Sequence, residues 1–341
     1  MKIVFFGTPD YVLPIVNEVH KKFSSKNGES GIVAVVTQKP KPTGRKQFIT
    51  YSAVDTWAYK RKIPVFYSPS DLIPKKVDAD LGVLAAYGEI IPKLVIDRLK
   101  FGILNVHPSL LPSFRGASPV QAAIVSGLAQ TGVTIIKLDE KLDHGPIVSQ
   151  FTEEIFENDT TETLRNRLFE RSGEVVTALV PAYVANKIKL KEQNHKEATF
   201  TTQITKEDGF IPPEFLKLAM LGSDPTSGRT RPRVRPKDSW GIPFIKNYSL
   251  VPSAYAKGAS SAYSLDCFIR AMYPWPGAWT QVRVLSDKDT KILRLKILRA
   301  HLEKLVPSAY RLVPDLVQLE AKTEVPWEEF KLGYPSASFG D

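Results

Sequence analysis

Asn105, His107 and Asp143 are the residues whose types and spacing point most directly to chemistry. The run NVHPSLLPSFRG at 105–116 places an amide, an imidazole and a hydroxyl at the end of an apolar, strand-like segment, 101–106. Pro108 has no N–H to give a ladder, so pairing stops there. Side chains two apart on a strand share a face, which puts Asn105 and His107 together as the chain leaves the sheet. In open α/β sheets that carboxyl-end crevice is where ligands bind. A second strand-like run, 131–137, leads into LDEKLDHG at 138–145 and offers Asp143 as a carboxylate partner. Together these groups can polarise and protonate a carbonyl under attack, and with a substrate amine as nucleophile no Ser or Cys is needed. Asp139 is a rival carboxylate better suited to capping the turn, and His144 reads as a loop residue.

The elements that must position these groups alternate along the first 150 residues. Candidate strands fall at 2–6, 31–37, 79–85, 102–107 and 132–138. Thr8-Pro9 reads as a helix start with a hydroxyl N-cap, and Ser118-Pro119-Val120-Gln121 as a capping box whose helix Gly127 ends. Such alternation argues a doubly wound, mostly parallel sheet with helices on both faces. A long helix follows over 159–187, with Asp159 and Glu162 as its box. The predicted division is a catalytic domain at 1–187, a connector at 188–206, and a small β-rich domain at 207–341 carrying a basic insertion at about 210–262. Strand-like alternation in that half falls at 281–285, 291–299 and 316–320.

Composition limits the partners. The 341 residues hold 46 Lys plus Arg against 36 Asp plus Glu, a formal net charge of +10, which favours a polyanion. The single cysteine, Cys267, excludes an internal disulfide and lies in an apolar run that suits a buried small hydrophobe. No Cys/His cluster has zinc spacing, and no apolar span approaches transmembrane length. Gly7-Thr8-Pro9 lacks the G-x-G-x-x-G spacing of a dinucleotide site, which excludes NAD.

The motifs FFGTPDYVLPIV (5–16), AAYGEIIPK (85–93), NVHPSLLPSFRGASPVQAAI (105–124) and TGVTIIKLDEKLDHG (131–145) together resemble the folate-dependent formyltransferases. FIRAMYPWPGAW (268–279) and VQLEAKTEVPWEEFKLGYP (317–335) extend the likeness to the branch that acts on methionyl-tRNA. The resemblance implies a Rossmann-like formyltransferase domain followed by a small OB-like β-barrel, with 10-formyltetrahydrofolate as formyl donor and no metal. It makes Asn105, His107 and Asp143 the catalytic trio. Asp143 either orients a protonated His107 ring or relays the amine's proton, and the sequence leaves both open. Ser109, Leu110, Leu111 and Pro112 match the folate-contacting stretch; Tyr87, Gly88, Ile90 and Ile91 match its other wall, and Leu142 the loop over it. For Tyr87 and Ile91 plain core packing is an equal reading, and Arg115 either orders the loop or meets a substrate anion.

For the tRNA, the resemblance points to the basic loop at 38–48, with Lys39, Lys41, Arg45 and Lys46, and to Lys206. Arg229, Arg231, Arg233 and Arg235 recur at alternate positions up to Lys237, either as added contacts to the tRNA backbone or as a solvated insertion. Arg270, Lys288, Lys291, Arg294, Lys296 and Arg299 are the cations expected on the barrel, and Trp275 and Trp279 are expected to pack rather than stack on bases. The segment 300–316 lacks glycine-rich hairpins, so an abridged barrel is expected. A monomer in bacterial cytoplasm is the simplest setting. The rival reading, a formyltransferase for a small amine such as an amino-sugar nucleotide or glycinamide ribonucleotide, leaves PWPGAW, the basic loop and the second half without use.

Overall fold

Runs of buried apolar side chains, IVFFG in β1 (Ile3–Gly7) and IVAVV in β2 (Ile32–Val36), begin a sheet that is covered on both faces. The computed structural model describes residues 1–25, 27, 29–44, 46–222, 242, 244–246, 261–285, 290–306 and 309–340. Arg45, Arg229, Arg231, Arg233, Arg235, Lys237 and Lys288 therefore lie outside the described residues. The chain divides into two units. The first comprises Met1–Ala117, Gln130–Glu154 and Arg165–Ala198; the second comprises Ser118–Ala129, Ile155–Leu164 and Thr199–Asp341.

In the first unit, helix α1 (Leu13–Phe23) joins β1 to β2, and the hairpin β3 (Lys41–Thr43) and β4 (Phe48–Thr50) precedes α2 (Ala53–Lys60). Next come β5 (Val65–Phe66), β6 (Leu81–Ala85), α3 (Lys93–Arg98), β7 (Ile103–His107) and the two-residue β8 (Arg115–Gly116). Strands β9 (Gln130–Lys137) and β10 (Ile147–Glu154) complete a seven-stranded sheet of order β10-β9-β7-β6-β1-β2-β5. Its centre is parallel, with β1 between β6 and β2. The exceptions to the mostly parallel order lie at one edge. The strand expected at 132–138 runs antiparallel to β7, and β10 runs antiparallel to β9, so that edge is a hairpin and not another crossover. Alternating half-buried and exposed residues in β10 hid it among polar positions, and the two-residue β5 is too short to leave a pattern.

Thr8 does not cap a helix. Its hydroxyl donates to the Tyr87 carbonyl at 3.1 Å and accepts from the Gln38 N–H at 3.3 Å, tying together the loops that leave β1, β2 and β6. Ser52 caps α2 by accepting from the Asp55 N–H at 2.9 Å. The connector after α5 (Thr161–Val184) returns to the sheet edge, where Lys191 and Ile147 exchange both backbone hydrogen bonds, at 2.7 and 2.9 Å.

In the second unit, α4 (Pro119–Val125) ends at Gly127, as expected, with φ +63° and its N–H on the Ile124 carbonyl. The predicted box at Ser118 does not form: the hydroxyl donates instead to the Thr202 carbonyl at 2.8 Å. The box proposed for Asp159 and Glu162 falls one residue later, where the Thr160 hydroxyl accepts from the Thr163 N–H and the Thr163 hydroxyl from the Thr160 N–H. Strands β11 (Phe200–Thr201) and β12 (Ile245–Lys246) pair antiparallel, and α6 (Pro213–Leu221) and α7 (Ser261–Met272) precede the final sheet. That sheet is an antiparallel meander of β13 (Ala278–Leu285), β14 (Thr290–Val306), β15 (Ala309–Leu319) and β16 (Glu324–Pro326), closed by α8 (Trp327–Gly333). Among the described residues it has four strands, a small antiparallel β domain of the kind expected. The segment 300–316, expected to be abridged, is the outer part of the long β14–β15 pairing. Val282, Leu295, Val317, Leu319, Trp327 and Phe330 form its core.

Two further expectations change. Arg270 is not on a positive outer face: its half-buried guanidinium on α7 is taken up internally, where Nε pairs with Asp266 at 2.9 Å and a second nitrogen donates to the Asp159 carbonyl at 2.9 Å. Trp279 is buried, with its indole N–H on the Lys206 carbonyl at 2.9 Å, whereas Trp275 is 52% exposed. Cys267 is buried on the same helix, and burial pushes its thiol up to about 11 against the opposing pull of Arg270. The stability carried by this neutral thiol is complete at neutral pH and is lost as pH rises toward about 11. A maleimide at pH 8 should therefore label the folded protein at least ~100-fold more slowly than the urea-unfolded chain, because only an exposed thiolate reacts. Equal labelling rates would contradict the burial. Among the described residues no helix is long and apolar enough to cross a membrane.

Candidate active site

Strand β7 carries the site because its side chains alternate: Leu104 and Val106 face one side, Asn105 and His107 the other. Register sets a problem for the third group. His107 lies opposite Thr134 and Leu104 opposite Lys137, so the β9–β10 loop leaves the sheet at the Leu104 end. Asp143 reaches the trio only because that loop folds back. The Asn105 amide donates to Asp143 Oδ1 at 3.1 Å, and the Gly116 N–H donates to Oδ2 at 2.8 Å. His107 Nδ1 stands 3.6 Å from Oδ2, and its Nε2 lies 3.0 Å from the Phe114 carbonyl. A carbonyl can only accept, so Nε2 carries a proton and Nδ1 is the ring atom turned to the carboxylate. All three side chains are buried, Asp143 being 7% exposed.

The loop is held at several points. Gly145 packs so closely that a Cβ there would overlap the Lys137 carbonyl. The Lys141 N–H donates to Asp139 Oδ1 at 3.0 Å, the turn-capping expected of Asp139. Its other oxygen lies 2.7 Å from His144 Nδ1, and the His144 ring stacks on that of His195 with centroids 3.9 Å apart. Deeper in, Gln193 donates from Nε2 to the carbonyls of Asp143 and Gly145, at 2.9 and 2.8 Å. Its Oε1 accepts from Arg115 at 2.7 Å, and the same Arg115 nitrogen donates to His195 Nδ1 at 2.8 Å. Arg115 thus orders this loop. Burial pulls its guanidinium down, with Asp143 and Asp139 opposing. Desolvation, then His144 and Arg115, hold His195 below the ordinary histidine range, which matches an Nδ1 that accepts.

The turn after His107 is pinned in the same way. Thr134 Oγ1 donates to the Ser109 carbonyl at 2.6 Å and accepts from the Leu111 N–H at 3.0 Å, while Gln150 donates to the Leu111 carbonyl at 3.1 Å. Ser109 and Leu111 are buried, and Leu110 and Pro112 half-buried. Tyr87 and Ile91 belong to the core cluster with Val4, Phe6, Ala34 and Val36. Gly88 adopts φ +87°, where a Cβ would press on the Gln38 amide. By contrast Ile90 is 87% exposed and Leu142 62%. Lys39, Lys41 and Lys46 are exposed on and beside the β3–β4 hairpin, together with Phe48, Ile49 and Tyr51. In the second unit Lys206 is exposed, its carbonyl taken by Trp279. Gln193 and His195 carry no sign in the sequence: they sit in a charged connector, KIKLKEQNHKE, with nothing periodic about them. Among the described residues no group of three or more His, Cys, Asp or Glu could hold a metal ion.

The open α/β sheet brings a buried amide, imidazole and carboxylate together at one strand end, an arrangement able to polarise a carbonyl and move a proton. Residues 1–180 match the family described as formyl transferase, and residues 259–335 match the formyl transferase C-terminal domain. The chain belongs to the formyl transferase family. A methionyl-tRNA formyltransferase of Buchnera aphidicola subsp. Schizaphis graminum is 38% identical over 218 residues, 62% of this chain and 67% of the relative. One from Rickettsia massiliae is 31% identical over 306 residues, covering 88% of this chain and 82% of its own. The fold is similar to that of an N-formyltransferase from Helicobacter canadensis, solved with folinic acid and dTDP-3-aminofucose (TM-score 0.57, 14% identity, 92% and 98% of the two chains). A 4-N formyltransferase from Francisella tularensis has the same fold (TM-score 0.52, 16% identity, 85% and 96% covered).

Proposed function

We propose that this chain transfers the formyl group of 10-formyltetrahydrofolate to the free amino group of methionyl-tRNA. The observation that carries the reading is the convergence of Asn105, His107 and Asp143 from separate segments into one buried, hydrogen-bonded cluster. The amine lone pair forms a bond to the formyl carbon, and the carbonyl pair moves onto oxygen. Asn105 gives one N–H to Asp143, and its second N–H is the donor for that oxyanion. His107 Nδ1, the nitrogen not committed to Phe114, moves the proton: the attacking amine loses one, and the folate nitrogen gains one as its bond to the formyl carbon breaks. Asp143 holds the ring and the amide in one orientation while accepting from both sides.

Supporting the folate half are the pinned 109–112 turn and the exposed apolar side chains Ile90 and Leu142, which a flat pterin would cover. Tyr87 and Ile91 act behind that wall as core residues. The tRNA half rests on the exposed lysines of the β3–β4 hairpin and on Lys206, with Arg45 and the arginines at 229–235 as further contacts. The Phe48, Ile49 and Tyr51 side chains beside those lysines suit a wedge against unpaired nucleotides.

The experiment incubates the protein with 10-formyltetrahydrofolate and either methionyl-tRNA or amino-sugar nucleotides, and reads formylated product by mass spectrometry. Formylmethionyl-tRNA is the expected product, and formylation of the sugar amine alone would overturn the reading. Replacing Lys39, Lys41 and Lys46 together by alanine should raise KM for tRNA and flatten the log–log salt dependence by about 0.7–0.9 for each phosphate no longer neutralised. KM for the folate should stay unchanged.

A further inference from the structure

We propose that Gln193 is the positioning residue that holds Asp143 against Asn105 and His107. The inference rests on the formyl-transfer reading above and assigns that site a component from the connector.

Three observations converge on Gln193. First, the β9–β10 loop leaves the sheet at the wrong end of β7 for Asp143 to face His107, so something must hold it folded back. Secondly, Asp143 has φ +47°, in the left-handed region that costs an L residue free energy and persists only where surrounding contacts over-determine it. Thirdly, the contacts on the outer side of the loop are weak or miss Asp143. Lys93 meets Glu140 at 2.9 Å with both side chains mostly exposed, a kind of pair that adds little. His144 meets Asp139 with both side chains half-buried, which fixes the turn at 139–144 but does not touch Asp143 itself. Gln193 is different, being 6% exposed. It spends both N–H groups on the carbonyls that bracket the loop's end, Asp143 and Gly145, at 2.9 and 2.8 Å. Its own acceptor is fixed by the Arg115 guanidinium at 2.7 Å, one residue before the Gly116 N–H that binds the Asp143 carboxylate. Two residues upstream, the Lys191–Ile147 bridge fixes the connector to the sheet edge. The sheet edge, Gln193 and Arg115 thereby close a rigid frame around one carboxylate.

The test uses Gln193→Glu, which keeps the acceptor for Arg115 and replaces the N–H donors by an oxygen facing two carbonyls. Expected is a fall in kcat of about 10–100-fold with KM for folate and tRNA within about twofold, the usual scale for a support residue behind a reacting group. The Gly116 amide, protected from hydrogen exchange by Asp143 Oδ2, should lose at least ~10-fold of its protection as the carboxylate is displaced. In an Asp143→Ala background the same substitution should cost less than about twofold, because the residue acts through Asp143. A near-normal kcat with unchanged Gly116 protection, or an equal penalty in both backgrounds, would overturn the proposal. Gln193→Met, uncharged and of similar length, replaces Gln193→Glu should that variant fail to fold. Because the Gly116 exchange needs no substrate, it decides the positioning role even if methionyl-tRNA proves not to be formylated.

Discussion

His107→Ala should lower kcat for formylation of methionyl-tRNA by about 10³-fold while leaving the protein folded. Proton transfer by a placed side chain supplies about 10²–10⁴ in rate. In the proposed mechanism this ring moves the proton through Nδ1, since Nε2 is committed to the Phe114 carbonyl and Nδ1 faces the carboxylate. The structural loss is smaller: one hydrogen bond to a backbone carbonyl, worth roughly 1 kcal/mol, plus a modest cavity at a strand end. A thermal melt and single-turnover formylation on the same preparation separate the two effects. A variant that keeps its melting temperature and stays within about tenfold of the parent rate would remove His107 from the chemistry.

The face shared by Asn105 and His107 was legible because period-two geometry is a local property and Pro108 marks where β7 must stop. Likewise β1, β2 and β6 are short runs buried on both sides, whose apolar continuity survives in the sequence. What was not legible depends on partners distant in the chain. The direction of β9 is set by its pairing to β7 and β10, and the same eight residues would read alike in a parallel strand. Thr8 and Ser118 have the right chemistry for caps, yet each hydroxyl is taken by a carbonyl from a remote segment, 79 and 84 residues away. A capping propensity of about 1 kcal/mol is easily overridden by a buried hydrogen bond of equal strength. Gln193 is the extreme case. Its function is entirely in what it touches, and nothing about a glutamine in a lysine-rich stretch announces that.

Similar reasoning explains why charge alone misplaced Arg270. Counting cations predicts a positive surface, but α7 turns this one inward, where burial would lower its guanidinium and Asp266, Cys267 and Tyr263 together more than offset that. The hairpin lysines, by contrast, lie on and beside β3 and β4, whose residues are exposed throughout. Apolar side chains exposed among these cations are what the proposed tRNA contact would cover.

Asp143→Asn probes the remaining question, whether the carboxylate's charge or only its shape matters. The substitution preserves volume and keeps one oxygen to accept from the Asn105 amide. The other position becomes an NH₂, which meets the Gly116 N–H donor head on at 2.8 Å and presents a donor, not an acceptor, toward His107. The side chain must therefore rotate or withdraw, and the proton that Nδ1 takes from the amine loses its counter-charge. Loss of an orienting carboxylate behind an imidazole costs about 10⁴ in the serine-protease template, where the ring falls into the wrong tautomer. In this protein Phe114 already fixes Nε2–H, so the tautomer survives and the expected loss is smaller, about 10²–10³ in kcat. The two roles left open for Asp143 separate on this measurement. Pure orientation by shape predicts that Asp143→Asn retains most of the activity that Asp143→Ala loses. Charge-dependent proton handling predicts that Asn and Ala are equally impaired, and that is the expected result. An Asn variant within about fivefold of the parent, measured at saturating folate and tRNA, would leave Asp143 as a structural brace and place the proton transfer on His107 alone.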